Sequence, residues 1–148
     1  MRIRYVDGPR AARQHREDAG WDCKADTGGE DVTIEPGGRA LIDLGFAMDV
    51  PVGHVALIVP RSGLAAKFGV TVLNSPGVID PGYHGHVKAC LVNLGDEPFV
   101  VHQGDRVAQA LFVATEDVVW QLVDGFEDSE RGDGGFGSTG VSRRDGRQ

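Results

Sequence analysis

The chain has 148 residues, 41% of them hydrophobic and 25% charged, enough for one domain with a sizeable core. A formal net charge of −7 excludes a non-specific nucleic-acid binder, because affinity for a phosphate backbone needs a basic footprint. No apolar run is long enough for a membrane span, and the N-terminal residues Met1 to Asp7 carry no apolar stretch of signal-peptide length, so the expectation is a cytoplasmic protein with neither nucleic-acid nor membrane partner.

Glycine and proline recur at short intervals, with brief runs of β-branched and aliphatic residues between them, at Val32–Ile34, 40–44, 55–59, 87–94, 107–113 and 118–123. Short strands with frequent turn signals predict an all-β protein, a sandwich or jelly roll. Only Ser62–Phe68 has the make-up of a short helix, since apolar residues at helical spacing are not sustained anywhere for three turns. Cys23 and Cys90 read as reduced packing thiols, because no histidines stand at zinc-ligand spacing from them. Residues 124–148 lose apolar content and gain Gly, Asp and Ser, so the expected division is a β domain over 1–123 and a flexible C-terminal arm over 124–148.

Five segments carry chemistry, in chain order. Ala19-Gly20-Trp21-Asp22-Cys23 reads as a tight turn ending in a carboxylate. Pro60-Arg61-Ser62-Gly63 places a cation, a hydroxyl and a glycine N–H where the short helix begins, which favours anions. Asn74-Ser75-Pro76-Gly77-Val78-Ile79-Asp80-Pro81-Gly82-Tyr83-His84-Gly85 reads as a hairpin with two turn signals, carrying a carboxylate and an aromatic ring. Gly104-Asp105-Arg106-Val107-Ala108-Gln109 stands at the entry to a strand. The last segment, residues 131–140, reads G-x-x-x-x-G-S-T from Gly132, one residue from a P-loop, with Ser138 where the phosphate-binding lysine belongs. Its glycine N–H groups, the Ser138 and Thr139 hydroxyls and the Arg131 guanidinium suit a polyphosphate, and Phe136 has no core to join there.

These five segments, in this order, resemble the homotrimeric dUTP pyrophosphatases (dUTPases) over residues 19–140. The resemblance implies a jelly-roll subunit, a homotrimer with active sites at subunit interfaces, magnesium (Mg2+) as cofactor, and hydrolysis of dUTP to dUMP and pyrophosphate. By position, Asp80 matches the carboxylate that deprotonates the attacking water, although taken alone it reads as a turn residue ahead of Pro81 and Gly82. Tyr83 matches the ring packed against deoxyribose. Asn74 and the backbone from Val78 and Ile79 to Lys88 match the uracil reader, where a wrong donor pattern would leave buried polar groups unpaired. Arg61, Ser62, Gly63 and Gln109 match phosphate binders, and Asp105 and Arg106 read as mainly structural. Asp22 matches a carboxylate that holds magnesium through water, an ion that keeps much of its hydration shell. Arg131, Phe136, Gly137, Ser138 and Thr139 match the arm that closes over the nucleotide, Phe136 stacking on uracil.

Two features depart from the family pattern: His86 stands where an acidic or amide residue is frequent, and Cys23 at a more often apolar position. One rival is dCTP deaminase, which shares the fold but usually has a second serine after Arg-Ser and needs a glutamate in the pocket; here Gly63 follows Ser62 and the third segment has no glutamate. A second rival is a nucleotide-binding regulator acting through another protein, and a regulatory protein partner is not indicated by the sequence.

Overall fold

The computed structural model describes residues 1–8, 11–129 and 132–133. Residues 1–117 form one compact unit, and the described residues from 118 onward belong to another. The first unit is built from ten strands and one short helix: β1 (Arg4–Asp7), β2 (Trp21–Lys24), β3 (Val32–Ile34), β4 (Arg39–Asp49), β5 (His54–Val59), α1 (Ser62–Phe68), β6 (Val70–Val72), β7 (Gly77–Ile79), β8 (His86–Asn93), β9 (Phe99–Val101) and β10 (Arg106–Ala114). Two four-stranded sheets, ordered β1-β4-β8-β6 and β2-β10-β5-β7, are accompanied by a two-stranded β3-β9 ribbon. Every strand pair is antiparallel. This is the expected all-β, jelly-roll-like sandwich.

Alternation explains how the sheets bury one face. In β8, Val87, Ala89 and Leu91 are fully buried while Lys88 is exposed, and in β5 Ala56 and Ile58 point inward. Together with Leu44, Val107 and Ala110 they form one core between the sheets. Each fully buried Leu or Val stabilises the fold by about 1.5–3 kcal/mol. Asn93, the buried polar residue of the described core, is satisfied on all sides: Nδ2 donates to the carbonyls of Ile34 and Glu97, each at 2.8 Å, and Oδ1 accepts the Gly95 N–H at 2.9 Å. It ties β8 to the β3-β9 ribbon.

The helix falls at Ser62–Phe68 as the sequence predicts, and ends at Gly69, whose φ of 68° is the left-handed conformation of a C-cap. Three expectations change. The run 118–123 forms no strand; it has no pairing partner among the described residues, and Val119, Trp120 and Leu122 are more than nine-tenths exposed. Asp22 lies inside β2, because residues 21–24 pair with β10, and the turn expected there lies before it. The third segment is no hairpin: β7 pairs with β5 and β8 with β4 and β6, so the chain crosses from one sheet to the other between Ile79 and His86. That crossing starts at the Asp80-Pro81-Gly82 turn, where Gly82 has a φ of 84° and the Tyr83 N–H donates to the Asp80 carbonyl at 3.2 Å. No helix of the described residues is long and apolar enough to cross a membrane.

Candidate active site

The crossing between the sheets opens a cavity of about 330 Å³ lined by Leu41, Val78, Ile79, Asp80, Tyr83 and Lys88. Each lining residue is placed by a sheet. Val78 and Ile79 are the last residues of β7, Leu41 and Lys88 lie on β4 and β8, and the turn lifts Asp80 and Tyr83 to the rim. Of the expected residues, Val78, Ile79, Asp80 and Tyr83 of the third segment and Lys88 beyond it are thus brought together, Leu41 joins them, and Asn74 is not among the lining residues. Leu41 is read from the sequence only as a strand residue; its signal is a large apolar side chain left 64% exposed on a strand whose next residue, Ile42, is buried.

Tyr83 is held in place. Its hydroxyl donates to the His86 carbonyl at 3.0 Å, and a Cβ built on Gly85 would lie 2.6 Å from that hydroxyl oxygen, so only glycine lets the ring lie over the turn. His84 Nε2 approaches Asp49 Oδ1 at 3.4 Å, and Asp49 also pairs with Arg4, which together with His84 holds its carboxyl below the ordinary value. Asn74 lies in the exposed turn after β6, its amide nitrogen near Gly77.

A second cluster forms around β10, which runs between β2 and β5. Asp22 of β2 accepts from Arg61 Nε at 2.8 Å and from Arg106 Nη1 at 3.3 Å, and Arg61 Nη1 also donates to the Arg106 carbonyl at 2.8 Å. Gln109 Nε2 donates to the Pro60 carbonyl at 2.8 Å, and the Gln109 amide occupies the space that a Cβ on Gly20 would need. Arg61 therefore stands at the mouth of α1, extended at φ −97° and ψ 127°, with Ser62 and Gly63 opening the helix behind it. The Asp105 carboxylate accepts the His102 N–H at 2.9 Å and its carbonyl accepts from Ala25, a turn-bracing arrangement.

The register of β5 against β7 measures the separation of the two clusters. Ile58 faces Gly77 and Ala56 faces Ile79, so Asp80 lies beside the start of β5 whereas Arg61 lies beyond its end. Six steps from Val55 to Arg61 at about 3.3 Å each put the backbones of Asp80 and Arg61 about 20 Å apart along the strand direction.

A magnesium ion finds no cage here: among the described residues no group of three or more His, Cys, Asp or Glu side chains converges on a point. The Asp22 carboxylate is 13% exposed and already matched by two guanidiniums, an arrangement that suits an anion beside it and does not suit direct ligation of a cation. Cys23 is fully buried and its thiol is pushed up to about 12 by that burial, so it is a packing group. Arg131, Phe136, Gly137, Ser138 and Thr139 lie outside the described residues.

The profile of the dUTPase family matches residues 7–140. Among named proteins, a deoxyuridine 5′-triphosphate nucleotidohydrolase of Solibacter usitatus is 48% identical over 136 residues, covering 92% of this chain and 86% of its own. That of Mycobacterium avium is 48% identical over 138 residues, covering 89% of this chain and 88% of its own. In structure, the dUTPase of Staphylococcus bacteriophage 80alpha with dUPNHPP superposes with a TM-score of 0.80 at 28% identity, over 95% of this chain and 99% of that one. The dUTPase of phage phi11 of S. aureus, described with a structural Mg(II) ion, shares the fold at a TM-score of 0.76 and 23% identity, over 86% of this chain and 100% of that one. With the profile spanning residues 7–140 and relatives 48% identical over about nine-tenths of the chain, the chain belongs to the dUTPase family.

Proposed function

We propose that the chain hydrolyses dUTP to dUMP and pyrophosphate, with Asp80 as the base that activates water for attack on the α-phosphorus. The observation that carries this is the cavity that gathers Asp80 and Tyr83 with the β7 backbone and Lys88, in a chain of the dUTPase family. A carboxylate at a pocket rim takes a proton from a water as that water attacks, and the Asp80-Pro81-Gly82 turn fixes the backbone that carries it. The ring of Tyr83 packs on the deoxyribose and leaves no space for a 2′-hydroxyl. Val78, Ile79 and the backbone as far as Lys88, with Asn74, read the uracil edge. Arg61, Ser62, Gly63 and Gln109 bind phosphate, as do Arg131, Gly137, Ser138 and Thr139 of the arm, while Phe136 stacks on uracil. Each charge-assisted phosphate contact contributes about 1.5–3 kcal/mol. The activity limits uracil incorporation into DNA and supplies dUMP for dTMP synthesis, in the cytoplasm.

Two observations support a homotrimer whose sites lie between subunits. The backbones of Arg61 and Asp80 in one chain lie about 20 Å apart along the sheet, at opposite ends of β5, a separation that a site shared with a second subunit would shorten. Val118, Val119, Trp120, Leu122 and Phe126, between 68% and 98% exposed, leave an apolar stretch that a neighbouring subunit would cover. The Asp22 environment supports magnesium only as an ion carried by the triphosphate, facing Asp22 through water. There it would neutralise phosphate charge.

Pyrophosphate release measured with dUTP, dCTP, dTTP and UTP tests the reading. Turnover of dUTP far above the other three is expected. No release from dUTP, or deamination of dCTP, overturns it.

A further inference from the structure

The His86 ring touches no group assigned to substrate, yet the residue stands where the turn bearing Asp80 and Tyr83 enters β8, and the ring is gripped at both nitrogens. Nδ1 lies 3.0 and 3.1 Å from the two oxygens of Asp43 on β4, and Nε2 lies 3.1 Å from Asp7 Oδ2 at the end of β1. Both carboxylates are themselves set with care. Asp43 sits at the break in the β4-β8 register, where its Oδ1 also accepts the Gly45 N–H at 2.8 Å. Asp7, at φ 66°, is the one non-glycine residue with positive φ among the described residues, a left-handed conformation that aspartate tolerates at some cost.

Only the imidazolium carries N–H on both ring nitrogens, so only the charged ring donates to both carboxylates. The neutral ring turns a lone pair toward one of them. Asp43 first and Asp7 second hold the His86 pKa above its ordinary value. The other charged groups around the pair are Lys88, which faces Asp43 across the β4-β8 ladder, and Asp26, bridged to Asp43 by backbone hydrogen bonding. The His86 carbonyl is the acceptor of the Tyr83 hydroxyl.

We propose that His86, clamped between Asp43 and Asp7, is a positioning residue that fixes the carbonyl receiving the Tyr83 hydroxyl and so holds the Tyr83 ring as the wall that excludes a 2′-hydroxyl. This rests on the sugar-wall reading of Tyr83. The clamp is complete while His86 is charged and opens as pH rises through its raised pKa. Exclusion of ribose is then strong at low pH and weakens above that transition, although the chemical step continues.

The test uses the full-length chain and measures kcat and KM for dUTP and UTP between about pH 5.5 and about pH 9, bracketing the histidine range. The ratio of the two kcat/KM values cancels any effect of pH on the chemical step, which both substrates share. In the wild type the preference for dUTP is expected to fall about tenfold across the transition, roughly one hydrogen bond's worth of positioning. In His86→Asn it is expected to be low and flat with pH, and in Asp43→Asn the transition moves to lower pH, toward that of an ordinary histidine. Alongside, NMR of the wild type follows the His86 ring and the Tyr83 and Gly85 amides, which are expected to titrate together. A His86→Asn enzyme with wild-type preference and pH profile overturns the proposal, as do Tyr83 and Gly85 signals that stay fixed while the ring titrates. If the wild type shows no preference for dUTP over UTP at any pH, the sugar-wall reading fails, and the amide titration still decides whether His86 sets Tyr83.

Discussion

Asp22, Arg61 and Arg106 come from three separate segments, and removing the middle one shows what their contact contributes. In Arg61→Ala the chain loses the 2.8 Å bond to Asp22 Oδ1 and the 2.8 Å bond to the Arg106 carbonyl. The pair is well shielded, with side chains 24% and 13% exposed, so the charge-assisted bond contributes at the upper end of what exposed pairs do. Taking about 1–2 kcal/mol for it and about 1 kcal/mol for the carbonyl bond gives a loss of about 2–3 kcal/mol. For a chain of this size that is a melting temperature lower by about 4–12 °C. Arg106, 3.3 Å from the other oxygen of Asp22, keeps that carboxylate from being stranded, so the loss is not larger. A double-mutant cycle with Asp22→Asn, by urea denaturation at one protomer concentration, is expected to show a coupling of about 1–2 kcal/mol. In kinetics with dUTP, Arg61→Ala is also expected to lower kcat/KM by at least tenfold, the size of one charge-assisted phosphate contact. A coupling below about 0.3 kcal/mol would refute the reasoning, since the two groups would then contribute independently despite their geometry.

Three further outcomes are expected. Asp80→Asn keeps the shape of the rim but cannot accept a proton, so dUTP turnover is expected to fall at least a hundredfold with nucleotide affinity nearly unchanged, as read by single-turnover kinetics and calorimetry. Asn93→Ala removes three hydrogen bonds in and beside the core, and is expected to cost about 2–4 kcal/mol in denaturant unfolding. Cys23, buried and with its thiol pushed up to about 12, is expected to resist thiol reagents near neutral pH until the chain unfolds, so rapid labelling of native protein at Cys23 by mass spectrometry would contradict the packing role.

How much of this was legible in the sequence depends on whether the signal was local. The helix at Ser62–Phe68 could be read because its glycine stop, Gly69, sits beside it in the chain. The long strands β5, β8 and β10 could be read from their apolar runs. Strand β1 could not: all four of its residues are exposed, so no alternation marks it, and it exists because β4 offers Phe46 to Asp49 as partners. The turn at Asp80-Pro81-Gly82 is legible and the pairing around it is not, because a turn sequence specifies the bend and not which strands its two arms will join. Pairing is decided by β5, more than fifteen residues upstream, whose free edge accepts β7 and sends the chain across to the other sheet. The same crossing brings Asp80, Tyr83, Val78, Ile79 and Lys88 around one cavity, so the local misreading concerns the very feature that builds the pocket. The contacts least visible in the sequence join segments that only the sheet order makes neighbours: Asp22 to Arg61 across 39 positions, and His86 to Asp7 across 79. In both, a charged side chain meets an opposite partner because a central strand, β10 or β4, carries it there. Charge complementarity stabilises such contacts once made, but nothing in the spacing of the residues announces them.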